Sequence, residues 1–256
     1  MKLPISVFII TQNEEEYIGK VLESIKGIDE IVVVDSGSSD KTVEIAQQYG
    51  AKVVHQPWLG YAKQKQFAMS LCTHEWVLNL DGDEVVNPEF LQGLREIIST
   101  DNADSVRVWR NDIFIGKRLS KFSKKANNLR FYRKSLAHFD SSTLVHESAT
   151  VSGKEIFANL EFDHYGYQTI KTVTDKNNQY SSLKALEKFK RGKSFSYVKL
   201  IFIFPLIFIK EYVFQRKVFS GTRGFILSIL TAYYAFIKEA KLFELEQNSL
   251  ETANKK

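Results

Sequence analysis

The chain has 256 residues, 44% apolar and 25% charged, with a formal net charge of +5 and one cysteine. These proportions exclude wholesale disorder, and a lone Cys72 excludes both an internal disulfide and a thiolate metal cluster, pointing to a reducing compartment. The length allows one large or two small domains, and Met1–Pro4 leads straight into an apolar run, which predicts that no signal peptide is present.

The front of the chain alternates strand and helix. Ile5–Ile10 is a short apolar run of the buried-strand type. Asn13 opens a predicted helix over Glu14–Ile25, with Ile18, Val21, Leu22 and Ile25 at helical spacing and acidic residues in its first turn. Glu30–Asp35 is a β-branched strand ending in a carboxylate, and Ser36–Asp40 is a polar turn. A helix over Lys41–Tyr49, a short strand Lys52–Val54 and a helix over Tyr61–Leu71 follow. Glu75–Leu80 is another buried strand, which ends at Asp81-Gly82-Asp83-Glu84, and Pro88 starts a helix to about Ser99. Strands alternating with helices imply a parallel sheet with right-handed crossovers. Ligands of such sheets bind beyond the carboxyl ends of the strands, where Thr11, Asn13, Asp35, Ser36, Asp81 and Asp83 all fall.

From about residue 104 to 165 the pattern changes. Ser105–Trp109 and Asn128–Arg133 alternate, as strands of a more mixed sheet do. From about 168 onward the chain reads as helical. Tyr197–Ile209 is apolar apart from Lys199, should be kinked by Pro205, and at 13 residues is shorter than the roughly 18–20 needed to span a bilayer. Charge divides along the chain: residues 1–170 hold 19 basic and 23 acidic side chains, and residues 171–241 hold 14 basic and 4 acidic. The basic segment interleaves its cations with Phe and Tyr, the pattern of a helix lying in a membrane interface of anionic lipid. Nucleic acid is the other anionic partner such a surface could take, but the aromatics sit among Ile and Leu, which favours lipid or core.

Asp81-Gly82-Asp83 is the sharpest local motif. Two carboxylates at i and i+2 beyond a buried strand make a hard-oxygen site for Mg²⁺ or Mn²⁺; the same tripeptide also makes an ordinary acidic turn. Asp35 ahead of Ser-Gly-Ser-Ser can accept from a base or ribose, or the segment can simply cap the next helix. With one glycine there, the dinucleotide fingerprint is absent, which disfavours a dehydrogenase. Lys63 and Lys65 do not share a helical face, so at most one reaches a phosphate. The pair His146-Glu147 could supply a general base, and His164 could be a metal ligand or a structural histidine.

Three motifs in order, Phe8–Glu15, Val33–Asp40 and Asn79–Glu84, resemble glycosyltransferase family 2, whose members are inverting transferases of the GT-A fold. Arg110-Asn111 with Gly116-Lys117, Leu129–Arg133, Val145-His146-Glu147, His164–Tyr167 and Gly221–Gly224 resemble its lipopolysaccharide-core branch. The resemblance implies a GT-A type, Rossmann-like, mostly parallel α/β sheet flanked by helices, with a helical, basic and apolar C-terminal region. It divides the chain into a nucleotide-sugar-binding half at 1–103, an acceptor-binding and catalytic part of the same domain at 104–167, and a membrane-interfacial region at 168–256.

It also implies roles. Thr11, Asn13, Glu14, Asp35, Ser36, Lys65, Asp81, Gly82 and Asp83 would bind the donor; Asp83, Asp81 and His164 would hold a divalent cation, Mg²⁺ or Mn²⁺. Glu147, with His146, would be the base, and Arg130 and Arg133 would meet phosphate or acceptor. The expected partners are a nucleotide-diphosphate sugar, a lipid-linked saccharide such as the lipopolysaccharide inner core, and an anionic membrane surface, with no nucleic acid. The expected place is the cytoplasm, peripherally on the inner face of the cytoplasmic membrane.

Two rival readings come from other classes. Leu78–Val86 also looks like the nucleophile motif of a haloacid-dehalogenase-type phosphatase, with Asp81 attacking phosphorus. Against it, the motif follows three strand candidates rather than one, and no adjacent acidic pair occurs after Glu84. A silent nucleotide-sugar-binding scaffold is the second.

Overall fold

A computed structural model of the chain describes residues 2–140 and 148–254. The elements in order are β1 (Leu3–Thr11), α1 (Ile18–Ser24), β2 (Ile28–Asp35), α2 (Thr42–Gln48), β3 (Lys52–His55), α3 (Tyr61–Ser70), β4 (Trp76–Asp81), β5 (Glu84–Val86) and α4 (Pro88–Thr100). They continue with β6 (Ser105–Phe114), β7 (Lys117–Arg118), β8 (Ala126–Arg133), β9 (Ala137–His138), β10 (Thr150–Val151), β11 (Glu155–Tyr167), α5 (Ile170–Lys190), α6 (Tyr197–Ile209) and α7 (Gly221–Asn254). The chain forms two compact units, Met1–Asn111 with Lys125–Tyr165, and Asp112–Lys124 with Gly166–Lys256.

The main sheet runs β3-β2-β1-β4-β8-β6-β11-β5, with β7 on β6. The expected α/β architecture is present. Its parallel part is β3-β2-β1-β4, and β8 then joins β4 antiparallel, as do β6 on β8 and β5 on β11. A two-stranded antiparallel pair, β9 and β10, stands apart.

In the first unit both faces of the parallel part are covered, which is why β1 reads as an apolar run broken before Thr11 only by Ser6. Successive side chains of a strand point to opposite faces. Ile5, Val7 and Ile9 pack with Ile18, Val21 and Leu22 of α1 and with Phe90 and Leu94 of α4. Phe8 and Ile10 pack on the other face with Ala62, Ala68 and Met69 of α3, and Cys72 is buried there.

The first helix departs from the sequence reading. Helix was expected from Glu14, but α1 begins at Ile18. The reason is competition for backbone donors. Asn13 takes a left-handed conformation (φ 56°), and its N–H donates to Ser38 Oγ at 2.9 Å. The N–H groups of Glu14 and Glu15 donate to Thr42 Oγ1 at 2.8 Å and to Asp40 Oδ2 at 3.1 Å. Donors that would have faced an open first turn are spent on the loop after β2. The short strand β5 was also not foreseen; three residues show no periodicity.

In the second unit, α5 and α6 both lie along α7. Phe114, Val173 and Leu227 are its buried apolar cluster. Pro205 sits inside α6, which runs through it and passes into a π-helical segment, Lys210–Phe214.

Candidate active site

The site is built where three parallel strands end side by side. Thr11 of β1 is in register with Asp35 of β2, and Ile10 is in register with Asp81 of β4. Asp35 and Asp81 therefore flank the end of β1, two strand spacings or roughly 10 Å apart. All lie in the first unit.

Asp35 is 3% exposed. Its Oδ2 accepts from the N–H groups of Gly37 at 2.8 Å and Ser38 at 3.0 Å, and Ser38 Oγ donates to Oδ1. Gly37 has φ 100°, which a glycine adopts without strain. His55 Nδ1 approaches Oδ2 at 3.9 Å. The Ser-Gly-Ser turn thus shapes the loop by wrapping the Asp35 carboxylate. Ser36 is held on both sides: its N–H donates to Thr11 O at 3.0 Å, and its Oγ accepts from Gln64 Nε2 at 3.0 Å. Gln64, fully buried, also donates to Gln56 O and accepts from the N–H of Leu59. No motif pointed to Gln64, because a glutamine on a helix carries no local sign of burial.

Asp81 sits between two cations. Lys65 Nζ lies 3.0 Å from its Oδ1 and Arg130 Nη2 3.0 Å from its Oδ2. Burial alone would raise the Asp81 carboxyl; Lys65 and Arg130 outweigh it and hold it well below the usual carboxylate range. Lys65 is 6% exposed in its side chain whereas Lys63 is exposed, so of the two lysines one enters the site. Arg130 also pairs with the buried Glu84 and lies over the Phe162 ring, 5.5 Å from its centroid. Burial, then the negative charge of Asp81, push the Glu84 carboxyl up, and Arg130 opposes them. Glu84, given no role of its own from the sequence, is the buried counter-ion of Arg130.

Gly82 and Asp83 form the turn between β4 and β5. A Cβ on Gly82 would stand 3.1 Å from Glu14 Cγ and 3.3 Å from Thr11 Oγ1, so glycine permits the β1 loop to close on this turn. Thr11 Oγ1 is buried and has no hydrogen-bond partner. Asn13 is used within the loop: its Oδ1 accepts from the N–H of Ser39 at 2.8 Å. Asp83 is buried, its Oδ2 lies 3.7 Å from His164 Nε2, and its carbonyl accepts from the N–H of Tyr165 at 2.9 Å. Register of β11 on β5, His164 opposite Glu84, sets that approach.

The expected residues thus separate into groups. Thr11, Glu14, Asp35, Ser36, Lys65, Asp81, Gly82, Asp83, Arg130 and His164 gather around the ends of β1, β2 and β4. Arg133 is not with them. It is in register with Trp76, the first residue of β4, stacks on that ring at 4.7 Å, and pairs with Asp101 and Asp104. It lies three positions beyond Arg130 on β8, about 10 Å along the strand, which sets it beside the start of β4 while Arg130 reaches Asp81 at its end. His146 and Glu147 lie outside the described residues.

For a divalent cation the donor set divides in the same way. Both Asp81 oxygens already face cationic side chains, so Asp81 is a poor ligand. Asp83 and His164 are close enough to share an ion. Among the described residues no three His, Cys, Asp or Glu side chains form a cluster that could hold a metal by themselves. Two protein ligands fit an ion that takes its remaining positions from phosphate and water, the usual habit of Mg²⁺ and its neighbours.

A model described as Glycosyl transferase family 2 matches residues 6–160. An uncharacterized glycosyltransferase of Rickettsia typhi is 37% identical over 96% of this chain and 88% of its own. The lipopolysaccharide core biosynthesis glycosyltransferase LpsC of Rhizobium meliloti is 36% identical over 95% of this chain and 93% of its own. Among solved structures, residues 1–349 of S. aureus TarS in complex with UDP-GlcNAc align over 98% of this chain and 92% of that one, with a TM-score of 0.52 at 15% identity, a likeness of fold.

Proposed function

The chain belongs to glycosyl transferase family 2 and is a glycosyltransferase, and from that premise we propose that it moves a glucose-like or heptose sugar from a nucleoside diphosphate donor to a lipid-linked saccharide, the lipopolysaccharide inner core being the best candidate. The single observation that carries the reading is the placement of Thr11, Asp35 and Asp81 side by side at the carboxyl ends of β1, β2 and β4, with Asp83 and His164 adjoining. The acceptor class is supported by the similarity to LpsC along nearly the whole chain. A sugar acceptor of that kind is held at the inner face of the cytoplasmic membrane, so the protein works there from the cytoplasmic side.

The reaction is a single displacement. An acceptor hydroxyl attacks the anomeric carbon, its proton passes to a carboxylate, and the bond from that carbon to the diphosphate oxygen breaks, so the carbon inverts. Glu147 is the proposed base, with His146 beside it, from their place in Val145-His146-Glu147. The loop from Asn13 to Glu15, clasped by Ser38, Asp40 and Thr42, gives one wall of the nucleotide pocket, and the Asp35 turn gives the floor. Lys65 and Arg130, buried and held by Asp81 and Glu84, set N–H donors at the strand ends before any ligand arrives, donors that favour the charge building on the departing diphosphate. Asp83 and His164 would hold a divalent cation, which when bound neutralises that same charge.

Turnover tests the reading: incubation with a panel of nucleotide-sugar donors should release nucleoside diphosphate when acceptor is present. Donor binding with no release from any donor and acceptor would support the silent scaffold instead. Two variants sharpen it. Thr11→Val removes a buried hydroxyl that lacks a partner, so thermal stability should hold or rise while donor affinity falls about threefold to tenfold, as loss of one hydrogen bond requires. Glu147→Gln should leave donor affinity unchanged in calorimetry and lower transfer by about 10²–10⁴; full activity would move the base to another residue.

A further inference from the structure

Residues Tyr197–Ile209 include one charged side chain, Lys199. A helix apolar on every side belongs inside a core or in lipid, and α6 has a protein partner on one side. Leu200, Ile203, Phe204, Ile207 and Phe208 are half-buried at helical spacing, and Phe208 meets Phe225 of α7 edge-on at 5.7 Å. On the other side Tyr197, Val198, Ile201, Phe202, Leu206 and Ile209 are 47–70% exposed, and Val213 and Phe214 continue the row. Lys199 does not interrupt that row with a free charge: its Nζ is 3.1 Å from the buried Glu239, which Lys188 also reaches at 2.9 Å.

Cations bracket the row. Lys190, Arg191 and Lys193 precede it, Lys210 and Arg216 follow it, and all five are exposed. Residues 188–223 hold nine Lys or Arg and one acidic residue, Glu211, which is itself paired with Lys217 at 2.8 Å.

From this juxtaposition of an uncovered aliphatic and aromatic helix face with positive ends, we infer that α6 is a monotopic anchor that lies flat in the headgroup region of an anionic phospholipid bilayer. The row sinks toward the acyl chains, and the flanking lysines and arginines meet lipid phosphates. Thirteen residues span about 20 Å, short of the roughly 30 Å hydrocarbon core, and no described helix is long and apolar enough to cross a membrane. The charges favour lipid over a second copy of this chain. Antiparallel pairing of two such faces would set Lys193 of one against Lys210 and Arg216 of the other, a juxtaposition of like charge. The inference deepens the membrane part of the proposed function and rests on it for location.

The test is flotation of the full chain with vesicles of phosphatidylcholine alone and of phosphatidylcholine with phosphatidylglycerol. The wild-type chain should float with the anionic vesicles, less with the neutral ones, and less again as salt is raised. The triple variant Ile201→Ser, Phe202→Ser, Leu206→Ser alters exposed positions and should lose at least about 100-fold in vesicle affinity. Lys193→Glu with Lys210→Glu, which leaves the apolar row intact, should weaken binding to the anionic vesicles selectively and serves if the triple variant fails to fold. Wild-type chain remaining in solution with both vesicle types, or binding both equally at every salt concentration, would overturn the inference. So would a wild-type dimer in light scattering that the triple variant converts to monomer. Donor titration of the same variants separates this from the catalytic reading: it should be unchanged, because the donor residues lie in the other unit, and loss of donor binding in the wild-type chain would count against the transferase site alone.

Discussion

Arg130→Met is expected to destabilise the protein by about 3–5 kcal/mol, the cost of removing one partner from a buried ion pair. Arg130 is buried and bonded to two carboxylates, Asp81 and Glu84. Burial alone would lower the pKa of the guanidinium, and Glu84 and Asp81 more than reverse that, keeping it charged. Methionine fills similar volume but takes from Glu84, 1% exposed, the guanidinium it pairs with. Thermal unfolding near neutral pH should show a large drop in Tm. The double variant Arg130→Met, Glu84→Gln should recover much of the loss, since the stranded charge is then gone. If the single variant melts with the wild type, the buried network does not hold the β4–β8 end together. Catalysis should fall in both variants, because Asp81 would lose one of the two basic side chains that flank it.

Asp83→Ala is expected to lower activity and cation-dependent donor binding together. Asp83 Oδ2 lies 3.7 Å from His164 Nε2, the pair proposed to share a divalent cation, whereas Asp81 is engaged by Lys65 and Arg130. Loss of that ligand should lower kcat/KM by at least about 100-fold, or about 2.7 kcal/mol, and should abolish any gain in donor affinity on adding Mn²⁺ that the proposed site predicts for the wild-type chain. Asp83 sits in a turn rather than in the packed sheet, so the fold should survive the change. Calorimetric titration of donor with and without Mn²⁺ separates the two effects. Identical titrations for wild type and variant would show that the cation is held elsewhere.

Much of this site was legible from residues alone. Strand runs such as Val7–Ile10 and Val32–Val34 are buried on both faces and so read as continuous apolar segments, and their ends announce themselves by an abrupt polar residue. Asp35 and Asp81 were placed correctly for that reason. Asp35 shows where the sequence leaves two answers open: its carboxylate closes its own turn through Gly37 and Ser38, the local role that the same residues also allow. Three features were not legible. The late start of α1 depends on bonds between loops some 25 residues apart, which no local window contains. Gln64 and Glu84 are polar groups whose burial is decided by partners distant in the chain. Arg133 shares a strand and a motif with Arg130, but three positions along the strand carry the two to opposite ends of β4, and sequence adjacency conceals this.

The most direct measurement is a crystal grown with a nucleoside diphosphate and Mn²⁺, with data collected for the anomalous signal of manganese. The nucleotide should occupy the ends of β1, β2 and β4 beside Thr11 and Asp35, with an anomalous peak bonded to Asp83 and His164 and to the diphosphate, and with Asp81 still on Lys65 and Arg130. A nucleotide bound away from those strand ends, or a manganese peak that touches neither Asp83 nor His164, would contradict the assignment of this cleft as the donor site.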